Sequence, residues 1–199
     1  MDGNHELFEL IIHGREERNL EYKGCIKWND PNIKAKITKT VLGMSNIPDG
    51  GAIVIGVEQN GESFHPTGLQ PADLDSFKQD EVSSFINEYA DPFAEITISR
   101  VTHQGSHFVV IQVKEFTEIP IICKKDGLNG LRRGAIYTRP RRKNETTEVP
   151  SQVEMREIIE KATEKGIRSL LASVGRSGLK VIEPEAESYK RFEEQIKGL

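Results

Sequence analysis

Asp49-Gly50-Gly51-Ala52-Ile53-Val54-Ile55-Gly56-Val57-Glu58 is the stretch whose reading decides the fold. Pro48-Asp49-Gly50-Gly51 breaks the chain sharply, Ala52–Glu58 reads as a buried strand, and Gln59-Asn60-Gly61 is the turn after it. Immediately upstream, Ile33, Ile37, Val41 and Met44 form one apolar stripe while Lys34, Lys36 and Lys39 lie off it, which predicts a helix from Ile33 to Met44. Further back, Leu20–Gly24 is a short candidate strand, and Leu7, Phe8, Ile11 and Ile12 predict a helix over His5–His13 that stops at Gly14. Downstream, Pro71–Tyr89 looks helical, and Ile96–Val101 with Phe108–Val113 form a hairpin around His103-Gln104-Gly105-Ser106. Pro120–Lys124 and Ala135–Thr138 suggest a second strand pair joined by a glycine-rich loop. Ser151 with Glu154 is a capping box that opens a helix running to about Ser173; Gly175–Gly178 reads as a hinge before a charged helix over about Glu185–Lys197. The expected fold is α+β, a mixed or antiparallel sheet with flanking helices. One domain over residues 1–165 would be followed by a helical C-terminal extension over 166–199.

The 199 residues, 36% hydrophobic and 29% charged, are a normal globular mix and enough to bury a core without disulfides. Two cysteines, Cys25 and Cys123, are too few for a secreted disulfide framework or a structural zinc site, which points to a reducing cytoplasm. The opening residues have neither the basic nor the apolar segment of a signal peptide, and no apolar run approaches the ~20 residues needed to cross a bilayer. The formal net charge of −4 argues at first against a nucleic-acid partner. That average hides an asymmetry: residues 120–150 carry eight Lys or Arg against three acids, a local +5 that leaves −9 for the rest.

On a strand, Glu21 and Lys23 project to one face, away from Leu20 and Tyr22. A carboxylate that can hold a hard divalent cation, beside an ammonium that offsets phosphorane-like charge, is a combination common in phosphodiester cleavage; an ordinary edge-strand Glu–Lys pair is the plain alternative. Glu16 joins that face only if residues 16–18 turn. Glu58, at the mouth of the buried strand, is either placed to reach a site at the sheet's end or an ordinary polar residue at a turn. Lys36 and Lys39 share a helix face that either meets phosphate or is simply solvated. Arg139, Arg141, Arg142 and Lys143, with Arg132 and Arg133 nearby, form the kind of basic cluster that binds nucleic-acid backbone through counterion release. No phosphate-loop or dinucleotide fingerprint is present, and the five histidines lack zinc-ligand spacing.

Together, Glu16-Glu17-Arg18-Asn19-Leu20-Glu21-Tyr22-Lys23, the lysine-bearing helix ending Val41-Leu42-Gly43-Met44-Ser45-Asn46, and Asp49–Glu58 with Asn60-Gly61 resemble the Schlafen-type AlbA-like domain over about residues 10–160. Arg133-Gly134-Ala135-Ile136-Tyr137-Thr138-Arg139 is similar to that family's closing segment. The resemblance implies nucleic-acid binding, which for bacterial members is DNA binding. For the Schlafen nucleases it implies metal-dependent cleavage of tRNA or other structured RNA by three carboxylates, whose positions match Glu16, Glu21 and Glu58. Under that reading Mg²⁺ or Mn²⁺ sits on these glutamates, with Lys23 or Lys39 stabilising the transition state; Glu58 stands where Asp is commoner. Schlafen nucleases pair two lobes, so one lobe here implies a homodimer whose residues 132–143 line the groove between subunits. The alternatives are a non-catalytic DNA- or RNA-binding module and an adaptor working through its C-terminal helix.

Overall fold

A computed structural model describes residues 3–177. The helix expected over Glu185–Lys197 lies outside them, as does the end of the expected hinge. The chain runs α1 (Gly3–Ile12), β1 (Leu20–Lys23), α2 (Pro31–Ser45), β2 (Gly51–Ile55), β3 (Val57–Asn60), β4 (Ser63–Pro66), α3 (Pro71–Leu74), α4 (Gln79–Asn87), β5 (Ala90–Asp91), β6 (Ile96–His103), β7 (Ser106–Val113), β8 (Ile122–Cys123), β9 (Tyr137–Thr138), β10 (Thr147–Glu148) and α5 (Gln152–Arg176). This is the α+β architecture expected from the sequence.

The central sheet has the order β1-β2-β7-β6. β1 runs parallel to β2 with α2 as the crossover, and the other neighbours are antiparallel, with Glu21 opposite Ile53 and Lys23 opposite Ile55. Both faces are covered where β2 and β7 pair, which is why Ala52–Ile55 and Phe108–Ile111 are continuously apolar rather than alternating. Ile53, Ile55, Val109, Ile111 and Val113 pack towards α2 and α4 in the main core. Ala52, Val54, Phe108 and Val110 pack with Leu7 and Ile11 of α1 in a second core on the other face. Asp30 caps α2 by accepting from Asn32 N at 2.7 Å, and Pro31 fills a first-turn position that needs no N–H.

Three local expectations change. The run Ala52–Glu58 is not one strand: Gly56 adopts φ +106°, and the chain leaves the central sheet there to form the β3–β4 hairpin. A side chain at Gly56 would also meet Phe108 at 2.9 Å, so glycine serves both the conformation and the packing. The segment Pro71–Tyr89 is two short helices, because Asp75–Lys78 turns the chain between them. Strand β8 pairs with β5 and β9 with β10, rather than with each other. Only the Cys123–Ala135 and Gly134–Cys123 backbone bonds, 2.9 and 2.7 Å, join the two segments that were expected to pair.

The helix α5 continues through residue 165 without a break to Arg176. Its Ser151 cap accepts from Val153 N at 3.2 Å, and the Ser151 hydroxyl donates to Glu154, which lowers the Glu154 carboxyl below its ordinary range. The helix docks chiefly by polar contacts. Glu157 accepts a two-pronged pair from Arg18, 3.0 and 2.6 Å, and a third bond from Arg141 at 3.0 Å. The Arg18 bonds, with Arg141 assisting, hold the half-buried Glu157 carboxyl below the usual carboxylate value of 4.5. A carboxylate with a depressed folded-state pKa stabilises fully above its unfolded pKa and loses that contribution as pH falls through the folded one. Urea unfolding at about pH 6 and about pH 3.5 should therefore show a smaller acid-induced loss of stability in Glu157→Gln than in the unmodified chain. Equal losses would remove Glu157 from the docking account.

Candidate nucleic-acid interface

The edge strand β1 and helix α2 diverge to leave a cleft of about 490 Å³. Its floor is Glu16, Glu21 and Lys23, one wall is Lys36, Lys39 and Thr40 of α2, and the strap Asn144–Thr146 closes over it, with Asn129 and Gln59 also lining it. Five of the sequence-selected residues, Glu16, Glu21, Lys23, Lys36 and Lys39, thus meet in one place. Glu21 and Lys23 share a face because they are two apart on β1, and their side chains pair.

Arg139 lies inside the protein instead of on the solvent-facing cluster. It has no exposed surface, and its guanidinium pairs with Glu21, itself only 8% exposed. The other Arg139 donors go to backbone oxygens: Arg18 O at 2.6 Å, Glu17 O at 3.2 Å and Asn144 O at 2.8 Å. Arg18 returns a bond to Arg139 O at 2.6 Å. Asn144 donates to Glu16 O at 2.8 Å. The strap is thereby laced to the outer edge of β1, which would otherwise present unpaired backbone groups. A planar five-donor guanidinium suits such a ring of acceptors, whereas an ammonium has only three donors. The sequence pattern shows a run of cations at 139–143 but not that the first of them turns inward.

The three glutamates have separate partners. Glu16 accepts from Tyr22 N at 3.0 Å, covering another outward backbone group of β1. Glu21 is held by Arg139 and Lys23. Glu58, carried out of the central sheet by the Gly56 break, folds back over Gly24 and accepts from Cys25 N at 2.8 Å; a Cβ on Gly24 would stand 2.3 Å from its carboxylate. Glu58 does not line the cleft. Among the described residues, no three His, Cys, Asp or Glu side chains stand close enough to hold a metal ion together. The arrangement does not fit the divalent ion that the resemblance implies.

The remaining cations divide by their partners. Arg132 pairs with Glu148, and Arg141 with Glu157. Lys39 sits over the Tyr137 ring at 5.2 Å. Lys36, Arg133, Arg142 and Lys143 are exposed and, among the described residues, have no carboxylate within ion-pair distance. Arg142 and Lys143 stand in the turn that leads into Asn144, which lines the cleft; Glu145, next along, lines it too and has no cation within ion-pair distance among the described residues. Asn46, which terminates α2, is a residue whose role the sequence reading missed. Buried to 2%, it accepts from Ile121 N and donates to Ile121 O, both at 2.8 Å, and donates to Tyr137 O at 3.0 Å. It anchors the segments on either side of the Gly127–Gly134 loop. A polar residue directly after an apolar helix stripe was the available signal. A larger cleft of about 700 Å³ opens beside α1, but Glu9, Glu17, Asp49 and Glu115 line it against only His13 and Lys114, a charge balance that repels phosphate.

The family model described as Schlafen, AlbA_2 matches residues 16–148. The chain belongs to this family. The matched span of this Schlafen AlbA_2 chain starts at Glu16 on the cleft floor and ends on β10, so it contains the whole cleft and leaves out α1 and α5. Among solved structures, the DIP2311 protein from Corynebacterium diphtheriae is similar at 16% identity and a TM-score of 0.47, over 70% of this chain and 23% of that one. The chain therefore spans less than a quarter of that protein. The N-terminal domain of a DNA helicase RecG-related protein from Nitrosomonas europaea is similar at 24% identity and a TM-score of 0.47, over 67% of this chain and 89% of that one. No curated protein gives a significant match. No described helix is long and apolar enough to cross a membrane.

Removing Arg139 leaves Glu21 buried without its main partner, which costs about 3–5 kcal/mol in comparable pairs. Urea unfolding should show a loss of that order for Arg139→Met, with much of it recovered in the Glu21→Leu/Arg139→Met double variant. A near-neutral single variant would show that the pair does not hold the strap.

Proposed function

We propose that this Schlafen AlbA_2 chain is a nucleic-acid-binding module, and that it grips the phosphate backbone at the β1–α2 cleft. The observation that carries this reading is the meeting of Lys23, Lys36 and Lys39 in the cleft, with exposed Arg142 and Lys143, unpaired among the described residues, in the turn just before the lining residue Asn144. Arg139 supports it from below: by pairing with Glu21 it removes the carboxylate that would most directly repel a phosphate. Membership of the family supports the same class of ligand.

The module holds RNA or DNA mainly through charge. An acidic chain with a local cationic rim meets nucleic acid in one orientation, since the rest of its surface repels the polyanion. The endonuclease reading would need Glu16, Glu21 and Glu58 to converge on one Mg²⁺ or Mn²⁺, whereas each is occupied by a different partner.

Fluorescence anisotropy with a labelled duplex RNA and a labelled duplex DNA, across a series of salt concentrations, tests the proposal. Each lost phosphate contact lowers the salt slope by roughly 0.9 on B-form DNA, so the Lys36→Ala/Arg142→Ala/Lys143→Ala variant should bind more weakly with a slope reduced by about 2–3. Lys78→Ala, at a position paired with Glu81 on α4's flank, should bind as the unmodified chain does. An unchanged slope in the triple variant would sink the reading. Metal-dependent cleavage lost in both Glu16→Gln and Glu58→Gln would replace it with the endonuclease.

A further inference from the structure

Two arginines converge on one carboxylate of α5. Glu157 takes Arg18 Nη1 and Nη2 on its two oxygens at 3.0 and 2.6 Å, and Arg141 Nη2 joins at 3.0 Å. A bidentate fork with a second guanidinium beside it suits a phosphate as well as a carboxylate. The fork does not depend on Glu157 for its shape. Arg18 Nε donates to Arg139 O at 2.6 Å and Arg139 Nε donates to Arg18 O at 2.6 Å, so the lacing of the strap holds the Arg18 guanidinium from behind. Arg141 stands directly before Arg142 and Lys143, and its side chain is 71% exposed although it is paired. Both arginines lie within residues 16–148, the span matched to the Schlafen AlbA_2 family, whereas Glu157 lies beyond it on α5.

We propose that Arg18 and Arg141 form a second site for a backbone phosphate of the nucleic acid, and that Glu157 occupies it in the phosphate's place, so that α5 restrains binding from within the same chain. The proposal rests on the nucleic-acid reading of the cleft and extends its footprint along the strap. Electrostatics sets the sign of the effect. While Glu157 is seated, its charge offsets one of the two cations, its oxygens use the donors of both, and it repels an approaching phosphate. A phosphate reaches the fork only by displacing Glu157, and that exchange replaces one set of charge-assisted bonds with another for little net gain. Without the Glu157 charge, a phosphate is the strongest acceptor left to the two guanidiniums. A docking role alone gives a different expectation. Ile158 and Ala162 also pack α5 on the body, and Lys161 and Lys165 reach Glu115 at 3.6 and 3.3 Å. If Glu157 served only to dock the helix, its loss would not strengthen binding.

Fluorescence anisotropy of the full chain with a labelled duplex DNA, across a series of salt concentrations, tests it. Glu157→Gln should bind about three- to tenfold more tightly than the unmodified chain, with a salt slope steeper by roughly 1–2. Glu160→Gln removes the same charge from an exposed position on the same helix, unpaired among the described residues, and should leave the slope unchanged. Arg141→Ala should change little in the unmodified chain, where Glu157 already engages the guanidinium, but should remove half or more of the gain when combined with Glu157→Gln. That combination separates a freed fork from a loosened helix. A Glu157→Gln variant that binds no more tightly than the unmodified chain would overturn the proposal. So would an equal gain in Glu160→Gln, or a gain untouched by Arg141→Ala. The cleft reading fails separately, if the Lys36→Ala/Arg142→Ala/Lys143→Ala variant keeps the unmodified slope.

Discussion

The Arg139 guanidinium is the constraint on which the rest of the cleft depends. Burying a cation without partners is prohibitive, and this one is fully buried, so its position is fixed by where acceptors can be gathered. The acceptors are the Glu21 carboxylate and the carbonyls of Glu17, Arg18 and Asn144, drawn from the approach to β1, from β1 itself and from the strap. Satisfying one side chain therefore sets the strap's height over the sheet edge. Arg18 extends the same lattice outwards by bonding Arg139 O and Glu157, which ties α5 to the strap through a single guanidinium. A buried ion pair is a poor source of net stability, but it is costly to satisfy in any other arrangement, and so it selects this one.

The same pair decides the electrostatic character of the cleft. Glu21 alone would be a negative floor beneath Lys36 and Lys39; with Arg139 and Lys23 on it, the floor is neutralised and the rim cations set the local potential. Two neighbouring carboxylates are already engaged, Glu148 by Arg132 and Glu157 by Arg18 and Arg141, while Glu145 stays in the cleft lining without an ion-pair partner among the described residues. The larger cleft beside α1 is acidic on its lining, whereas this one carries three lysines against three glutamates with Arg139 beneath it. A chain that is acidic overall thus presents, among the described residues, a cleft with lysines suited to a polyanion, and the proposed binding there would be salt-sensitive.

Much of the fold was legible in the sequence because its strongest signals are local. The stripe Ile33, Ile37, Val41, Met44 could only be a helix face, the Gln104-Gly105 turn could only join a hairpin, and the apolar run after Gly51 had to be interior. Spacing put Glu21 with Lys23 on one strand face and Lys36 with Lys39 on one helix face, and the β1–α2–β2 crossover brings the two pairs together. The misreadings involve interactions that spacing does not encode. Gly56 looked like one more small residue in a strand, yet its left-handed conformation ends the strand and sends Glu58 to Cys25 instead of the cleft. Arg139 looked like the first member of a solvated basic run, yet partners more than a hundred residues away in sequence draw it inside. The weakly patterned segments 71–89 and 120–138 lacked the periodicity to place their breaks and pairings.

The proposed receiver of the nucleic acid is the laced cleft, and not the larger acidic one. Titrating a short duplex RNA or DNA into ¹⁵N-labelled protein and following the backbone amide resonances tests it most directly. Shifts should concentrate at Lys23, Lys36, Lys39, Asn129 and Arg142–Thr146, with α1 and the β2–β7 end of the sheet silent. Shifts centred on Glu9, His13, Asp49 and Lys114, or spread evenly over the surface, would contradict it.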